Sequence, residues 1–302
     1  MPGSPFRYLT GDEDSGRWAD FPFRDDDIVI STRSRSGTTW TQLICALLIF
    51  QSARLPAPLG QLSPWLDHLT SSREQVHELL AAQRHRRFIK THTPLDGLPI
   101  DPRVTYLVTA RHPIDAAVSL YHHSMNIDRA RMRELTGQPL PVEPETVRPL
   151  RDWLLSWISH DADPRAMLDS LPGVMWHLSD AWARRDEPNV MLLHYSELSS
   201  DLAGQMRGIA ARLGITVPEP TWPGLVQAAS FEQMRARAGQ YVPVGGIFKS
   251  DTAFFRRGQP GAAREVLTEE EIAGYRARAA TMAPADLLTW LHAPPGWIER
   301  QD

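Results

Sequence analysis

The amino-acid sequence predicts an α/β fold built around a buried parallel sheet. Three short apolar runs, at residues 28–30, 104–110 and 189–195, are rich in the branched aliphatic side chains that are typical of parallel strands. After each run the apolar residues recur with helical spacing. This alternation of strand and helix is the pattern of an α/β protein.

Length, charge and cysteine content exclude several classes of protein. The 302 residues suffice for one large α/β domain or two small ones. A net charge of -4 and an isoelectric point near 6.3 argue against a nucleic-acid partner. Cys45 is the only cysteine, so no internal disulfide can form. With neither a signal peptide nor a run of roughly 18 apolar residues, we expect a soluble cytoplasmic protein without a transmembrane segment.

The turn between the first strand and the first helix has the composition of an anion-binding site. Residues 33–39, RSRSGTT, supply two cations and four hydroxyl groups around Gly37. The apolar positions 40–48 then follow helical spacing, so one face of this helix is expected to pack on the sheet. The helix N-terminus would offer unpaired N–H groups and the positive end of its dipole. The alternative is that Ser36 or Thr38 only caps the helix, but the combination of strand, cationic turn and helix favours the anion site.

Polar side chains also stand at the ends of two further strands. Residues 87–91 read as a short strand whose tip carries Lys90 and His92, and Arg111 follows the strand at 104–110. Because ligands of α/β proteins gather at the carboxyl ends of strands, these residues are candidates for chemistry. His92 taken alone would be an ordinary loop histidine.

Other polar residues have simpler interpretations. Pro113 and Asp115 fit the first turn of a helix, where a carboxylate complements the dipole. His122 and His123 are adjacent on that helix and point about 100° apart, so they cannot easily share a metal ion. No histidine or cysteine spacing elsewhere resembles a zinc site, and no metal is expected. We assign this histidine pair to packing or to an acceptor pocket.

The remaining chain is predicted as helices and connections. Residues 52–72 read as a loop with short helical pieces. Residues 126–149 read as a mobile surface segment that either closes over substrate or is a plain exposed connection. Further helices are predicted at 74–84, 150–161, 173–185 and 198–214.

Five motifs occur in a fixed order along the chain. They are SRSGTTW at 34–40, KTHTP at 90–94, RHPIDAAVS at 111–119, SFEQM at 230–234 and FFRRG at 254–258. They resemble the motifs P-K-S-G-T-T-W, K-T-H-x-P, R-x-P-x-D-x-x-x-S, S-F-x-x-M and F-x-R-K-G of cytosolic-type (sulfotransferase domain 1) sulfotransferases. These enzymes use 3′-phosphoadenosine 5′-phosphosulfate (PAPS), and the chain resembles a bacterial member of the family.

The resemblance implies a role for each matching residue. His92 matches the family's catalytic base, and a histidine suits a general base at neutral pH. Arg35 and Lys90 would stabilise the charge that develops on the leaving phosphate. The implied nucleotide-binding residues are Arg35, Ser36, Gly37, Thr38, Thr39, Trp40, Arg111, Ser119, Tyr195, Phe231, Phe255, Arg256, Arg257 and Gly258. Among these, Arg111, Ser119, Arg256 and Arg257 would hold the 3′-phosphate, and Tyr195 with Phe231 would flank the adenine.

The chain departs from the family pattern at several positions. Arg35 stands where the family has its catalytic lysine, and Arg257 also replaces a lysine. Ala229 stands where the family often has a threonine that bonds the adenine. Beyond residue 258 the family's dimer motif is degraded, so the oligomeric state is left open. Thr268 and Glu271 instead form a capping box for a terminal helix.

The family's fold and reaction follow as expectations. The resemblance implies a single domain over 1–302, with a core at about 25–260 and a C-terminal helical segment at 261–302. Its fold would be a mainly parallel five-stranded sheet flanked by helices, as in P-loop kinases. The reaction would transfer a sulfuryl group from PAPS, by in-line displacement and without metal, and would leave adenosine 3′,5′-bisphosphate. The acceptor would be a hydroxyl or amine of a small molecule, lipid or glycan.

Two other functions compete with sulfuryl transfer as explanations of the sequence. A P-loop kinase or NTPase would need the motif G-x-x-x-x-G-K-[ST], but Thr38 follows Gly37 where that motif has lysine. A nucleotide-binding protein without catalysis is the second rival, and the presence of both Lys90 and His92 argues against it.

Overall fold

The structure, a computed structural model, describes residues 4–137, 147–242 and 246–292. The sheet in these ranges has four parallel strands in the spatial order β2-β1-β3-β4. The strands are β1 (Ile28–Ser31), β2 (Phe88–Thr91), β3 (Thr105–Ala110) and β4 (Val190–His194). The predicted α/β class and the parallel sheet are confirmed.

The sheet of the described residues has four strands rather than the expected five, and its edge beside β2 shows why. There Trp65 makes a single parallel bridge with Lys90, and the Lys90 amide donates to the Pro64 carbonyl over 3.0 Å. Pro64 has no N–H with which to extend a ladder. Pairing therefore stops after one bridge, and the prediction of a fifth strand is wrong for this part of the chain.

Helices cover both faces of the sheet, because alternate strand residues point into separate cores. In the described ranges the helices are α1 (Thr38–Phe50), α2 (Leu59–Leu62), α3 (Arg73–Ala82), α4 (Pro113–Asn126), α5 (Arg129–Thr136), α6 (Leu150–Ser159), α7 (Leu171–Ala183), α8 (Tyr195–Ser200), α9 (Leu202–Arg212), α10 (Trp222–Ala228), α11 (Phe231–Ala236), α12 (Ala238–Tyr241), α13 (Asp251–Phe254), α14 (Glu269–Ala279) and α15 (Ala285–His292). Short 3-10 turns occur at Ser15–Trp18, Leu95–Gly97, Glu219–Thr221 and Ala262–Glu265.

Helix α1 is buried on every side, although its sequence predicts one apolar face. All residues from Thr38 to Leu48 are buried. The helix packs on β1 and β2, and α2 and α10 also contact it. Its polar residues find partners, since the Thr41 hydroxyl lies 2.7 Å from that of Thr109 and Gln42 donates to Ser63. The predicted packing of α1 on the sheet is confirmed, and its other sides are covered by α2, the next helix of the chain, and by α10 from distant sequence.

Two predicted segments differ from the structure in their internal breaks. The helix expected at 198–214 is two helices, because the Asp201 carboxylate accepts from the Gly204 N–H and starts α9 afresh. The segment 126–149 contains helix α5, which Asp128 caps and whose Met132 is buried. Residues 138–146 of that segment lie outside the described residues.

The C-terminal part packs back onto the α/β core. Ala262, Ala263 and Leu267 are buried against α4 and α14. The predicted capping box forms, because Thr268 accepts from the Glu271 N–H and Glu271 accepts from the Thr268 N–H. Helix α15 then follows α14. Residues 293–302 of the predicted helical segment lie outside the described residues.

The parallel sheet fixes where the polar strand tips meet. In register, Ser31 pairs with Thr91 on one side and with Val108 on the other, so β1, β2 and β3 end at one edge. The segments that leave this edge carry Arg35, His92 and Arg111. None of the described helices combines the length and the hydrophobicity that crossing a lipid bilayer requires.

Candidate active site

A cavity of about 860 Å³ lies at this edge of the sheet. The residues predicted for catalysis and nucleotide binding converge on it from distant parts of the chain. Those that line it are Arg35, Gly37, Thr38, Thr39, Trp40, Lys90, His92, Arg111, Ser119, Tyr195, Phe231, Phe255, Arg256, Arg257 and Gly258. Ser36 is the exception: it is buried, and its N–H donates to the Arg33 carbonyl over 3.2 Å, so it shapes the turn.

The turn before α1 has a backbone that glycine alone accommodates well. Gly37 has a φ of 109°, and a Cβ atom there would lie 3.1 Å from the Tyr195 ring and 3.3 Å from the Thr109 methyl group. Gly37 is also the N-cap of α1 and offers no side-chain cap, since the Thr38 hydroxyl pairs instead with that of Thr32. The capping alternative is therefore wrong. The first N–H groups of α1 remain without a side-chain cap beside the cavity.

Arg35 is bound deep in the cavity. Its Nε atom donates to the Ser119 hydroxyl over 3.0 Å and its Nη2 atom to the Phe254 carbonyl over 2.7 Å. The guanidinium also lies 4.5 Å from the centre of the Phe254 ring. Burial lowers the pKa of Arg35 to about 10, and the charge of Arg111 acts in the same direction. The side chain stays cationic at neutral pH and adjoins the residue expected to hold the 3′-phosphate.

Lys90 and His92 both contact the indole of Trp65. The Lys90 ammonium lies 3.6 Å from the centre of that ring, and the His92 ring meets it edge-on at 4.6 Å. Burial lowers the pKa of Lys90 to about 8, and the positive charge of Arg35 adds to this. Lys90 therefore stays largely charged at neutral pH but loses its proton more readily than an exposed lysine.

His92 is held in one tautomer. Its Nδ1 atom bonds the Thr32 carbonyl, which can only accept, so Nδ1 carries the proton. Burial holds the pKa of His92 well below its usual range, and the charges of Lys90 and Arg33 reinforce this. The ring is thus neutral at physiological pH, and its Nε2 atom has a lone pair that can accept a proton.

Aromatic rings and a second glycine form another wall. The Arg111 guanidinium stacks 4.5 Å from the centre of the Tyr195 ring, which meets Trp40 edge-on at 5.3 Å. Gly258 has a φ of 69°, and a Cβ atom there would fall 2.4 Å from the Phe231 ring. The loop backbone therefore packs directly against the Phe231 ring, and both border the cavity.

The cationic residues of the cavity have few anionic partners. Of Arg35, Arg111, Arg256 and Arg257, only Arg257 pairs with a carboxylate within the described residues, namely Glu265 at 2.5 Å. Burial lowers the pKa of Arg256, and the charges of Arg257 and Arg111 add to this effect. Such an excess of positive charge in one cavity favours binding of a polyanion.

Asp115 does more than the predicted complement to a helix dipole. It is buried, and its two carboxylate oxygens accept from the N–H groups of Gly261 and Ala263 over 2.6 and 2.9 Å. It thereby ties α4, which carries Ser119, to the loop that follows Arg257. The sequence gives no sign of this contact, because its partners are backbone groups 146 and 148 residues away.

Sequence reasoning also missed the pair formed by Arg33 and Asp169. Arg33 Nη2 lies 2.6 Å from the Asp169 carboxylate, which also accepts from the Ser34 hydroxyl over 2.8 Å. Arg33 Nη1 donates to the His92 carbonyl. One buried guanidinium therefore connects the anion loop, the residue proposed as base and the segment before α7. Asp169 lies in no recognisable motif.

The adjacent histidines separate as predicted from helix geometry. His123 lines the cavity, with its Nδ1 atom 3.5 Å from Arg35 Nη1, whereas His122 does not line it. Among the described residues, no three histidine, cysteine, aspartate or glutamate side chains are grouped so that they could hold a metal ion.

The chain is similar to known proteins in both sequence and structure. The family model described as Sulfotransferase domain matches residues 25–279. A glycolipid sulfotransferase of Mycobacterium bovis (strain BCG / Pasteur 1173P2) is 40% identical over 301 residues, which cover 92% of this chain and 91% of that protein. One from Mycobacterium tuberculosis (strain ATCC 25177 / H37Ra) is 40% identical over 300 residues, with the same coverage. A crystal structure of a mouse sulfotransferase complexed with PAP superposes with a TM-score of 0.67 at 21% identity, covering 92% of each chain.

The Asp115 contact predicts a coupled loss of stability and nucleotide affinity. In Asp115→Asn one acceptor oxygen becomes an NH₂ group that faces a backbone N–H, so we expect a loss of about 1 to 3 kcal/mol of unfolding free energy in urea. Calorimetry should also find weaker binding of adenosine 3′,5′-bisphosphate. Asp201→Asn is the matched control, because asparagine caps α9 about as well and should cost less than about 0.5 kcal/mol. Equal stability of the two variants would contradict the proposed link.

Proposed function

This chain belongs to the sulfotransferase domain family, and from that premise we propose that it transfers a sulfuryl group from PAPS to a hydroxyl of a glycolipid. The observation that carries the proposal is one cavity in which a neutral histidine and a lysine stand beside a cationic turn at a helix N-terminus. The family assignment decides against a P-loop kinase or NTPase, and the presence of Lys90 and His92 in the cavity argues against a nucleotide-binding protein without catalysis. The extent of one domain over 1–302 and a cytoplasmic location stay predictions.

The cavity fits the proposed donor. Arg35, Arg111 and Arg256 offer charged donors for phosphate oxygens, and Ser119 adds a hydroxyl. The Phe231 ring, which lines the cavity, would stack on the adenine. When bound, PAPS supplies the sulfuryl group and a phosphate leaving group.

His92 has the properties that the proposed base needs. An acceptor hydroxyl becomes a good nucleophile as its proton leaves, and the unprotonated Nε2 atom of His92 can take that proton. The bond from Nδ1 to the Thr32 carbonyl would stabilise the imidazolium that results. The low pKa of His92 means that the ring is available as a base throughout the neutral range.

Lys90, Arg35 and the N–H groups at the start of α1 would stabilise the negative charge that develops on the leaving phosphate. Lys90 is held over Trp65, and Arg35 over Phe254, so both charges are oriented before substrate binds. Because Lys90 is buried and Arg35 is partly buried, their effect on an adjacent anion is stronger than it would be in water.

The other half of the cavity is largely apolar, which supports a lipid-bearing acceptor. Its walls include Ile127, Met132, Trp153, Met167, Leu168, Ile247 and Phe248. The two mycobacterial relatives are glycolipid sulfotransferases, and the chain covers most of each. We therefore assign the acyl or alkyl chain of a glycolipid to these walls and its hydroxyl to the vicinity of His92.

The cationic cluster predicts a strong preference for a nucleotide with a 3′-phosphate. Calorimetry should find that adenosine 3′,5′-bisphosphate binds at least about tenfold more tightly than adenosine 5′-phosphate, because each charged hydrogen bond contributes roughly 1.5 to 3 kcal/mol. Arg256→Ala should reduce this difference, and Arg235→Ala, at an exposed position outside the cavity, should leave it intact. Equal affinities of the wild type for both nucleotides would refute the assignment.

His92→Ala should lower kcat by about 10² or more, the usual scale for loss of general-base catalysis, with donor affinity near that of the wild type. Since His92 is already neutral, wild-type kcat/KM should show no acid limb at the usual histidine pKa, and it should decline above about pH 8 as Lys90 loses its proton. His122→Ala, outside the cavity, is the matched control and should keep full activity. A wild-type rate for His92→Ala across the pH profile would show that another group is the base, with His123 the next to test.

The replacement of the family lysine by Arg35 can be tested directly. Arg35→Lys should keep substantial turnover because a positive charge remains, but its KM for the donor should rise because lysine cannot bond both Ser119 and Phe254. Arg35→Ala should lose both turnover and donor affinity. If Arg35→Ala changes neither steady-state parameter, the assigned role is wrong.

A further inference from the structure

The N-terminal segment contributes one wall of the cavity, at the end that holds Lys90. Thr10, Asp12 and Glu13 line the cavity there, with His68 beside them. The segment is fastened by its backbone, because the Asp14 N–H donates to the Asp67 carbonyl and the Leu69 N–H to the Asp12 carbonyl, each over 2.8 Å. This wall is therefore a built part of the cavity.

Glu13 is the unusual residue of this wall. It is 9% exposed and lines the cavity, yet its carboxyl group has no hydrogen-bond partner within the described residues. Leaving a buried polar group without a partner costs about 1 to 3 kcal/mol. Burial raises the pKa of Glu13 well above its usual range, although the charge of Arg33 opposes this. This shift favours the protonated carboxyl group, which can both donate and accept a hydrogen bond.

His68 offers a second unused polar atom. Its Nε2 atom is buried without a hydrogen-bond partner among the described residues, while its Nδ1 atom lies 2.8 Å from the Thr70 hydroxyl. Burial lowers the pKa of His68 to about 3, with the charge of Lys90 adding to it, so the ring is neutral. The Trp65 ring packs on His68 with ring centres 4.0 Å apart.

Trp65 connects this wall to the catalytic residues. The same indole that packs on His68 contacts the Lys90 ammonium and the edge of the His92 ring. A molecule whose hydroxyl reaches His92 would therefore bring its neighbouring atoms to Glu13 and His68. Residues on this wall are therefore placed to contact the groups next to the reacting hydroxyl.

We propose that Glu13, with His68, forms a subsite that binds a second hydroxyl of the acceptor, adjacent to the one that receives the sulfuryl group. The ligand class is a sugar ring, in which neighbouring carbons carry hydroxyl groups. The Glu13 carboxyl group and the Nε2 atom of His68 both line the cavity and offer hydrogen-bond partners to such hydroxyls. The inference rests on the proposed function, because it assigns the carbohydrate part of the acceptor to this wall and leaves the lipid to the apolar walls.

Charges of both signs surround Glu13. The carboxylates of Asp12, Asp67 and Asp169 raise its pKa, and the charge of Arg33 lowers it. A polyhydroxylated ring carries no charge, so its binding does not depend on the balance between these groups.

The test compares three small acceptors that share one alkyl chain: octyl β-D-glucopyranoside, 1-octanol and octylamine. Steady-state kcat/KM with PAPS is measured for the wild type, Glu13→Ala and Glu13→Gln. Glu78→Ala, at an exposed position on α3, is the matched control for loss of a glutamate. Thermal denaturation of every variant establishes that it is folded.

Loss of the Glu13 carboxyl group removes hydrogen bonds that the glucoside makes and octanol does not. The ratio of kcat/KM for the glucoside to that for octanol should therefore fall about tenfold in Glu13→Ala, recover in Glu13→Gln and stay unchanged in Glu78→Ala. An unchanged ratio in Glu13→Ala would overturn the subsite. If the wild type prefers octylamine to the other two acceptors and Glu13→Gln loses this preference, the wall binds an amine instead.

A binding measurement separates this inference from the proposed function. Calorimetry with octyl β-D-glucopyranoside is carried out in the presence of adenosine 3′,5′-bisphosphate. If PAPS supports no turnover of any acceptor but the wild type binds the glucoside about tenfold more tightly than Glu13→Ala does, the subsite stands and the proposed reaction fails. If the wild type does not bind the glucoside, the subsite itself is wrong.

Discussion

The site depends on the close approach of one glycine backbone to the ends of two strands. Gly37 lies against Tyr195, just after β4, and against Thr109 in β3, and a Cβ atom would close a gap of 3.1 to 3.3 Å. Because the backbone of the turn lies so close to the strand ends, Arg35 can donate to Ser119 on α4. Arg111 in turn donates to the Arg35 carbonyl over 3.2 Å. A larger residue would lift the turn and separate the cations from the helix N-terminus.

Positive charge is concentrated in this cavity at a cost in solvation. Burial is the largest cause of the lowered pKa of Arg35 and of Lys90; the charge of Arg111 adds to the shift of Arg35, and the charge of Arg35 adds to that of Lys90. Cation-π contacts with Phe254 and Trp65 offset part of that cost, because the ring faces replace some of the lost hydration. An anion that enters the cavity reduces the repulsion between these cations. This reduction contributes to the free energy of anion binding. The same field keeps His92 neutral, and a general base must start without its proton.

Much of the fold and of the candidate site was predictable, because many residues that line the cavity lie in short motifs, several of them at strand ends. Local patterns identified all four strands in the described residues and brought His92, Arg111 and Tyr195 to one edge. What failed depends on contacts between distant segments. The packing of α10 on α1, the bridge between Trp65 and Lys90, and the hydrogen bond from the Gly261 N–H to Asp115 each join residues more than 20 positions apart. The break at Asp201 is the exception, since a local cap prevailed over a continuous helical pattern.

The two halves of the cavity are held by different parts of the fold. The cations and aromatic rings at the end that we assign to the nucleotide come from the anion turn, α4 and the loop near Gly258. Asp115 on α4 binds this loop by accepting from the Gly261 N–H. The end that we assign to the acceptor is lined by the N-terminal segment, α5, α6 and the residues before α7. Arg33 joins the halves, because it pairs with Asp169 on the acceptor side and bonds the carbonyl of His92 between them. We therefore expect that substitutions at the end assigned to the acceptor leave the other end in place, provided that Arg33 keeps its contacts with Asp169 and with the His92 carbonyl.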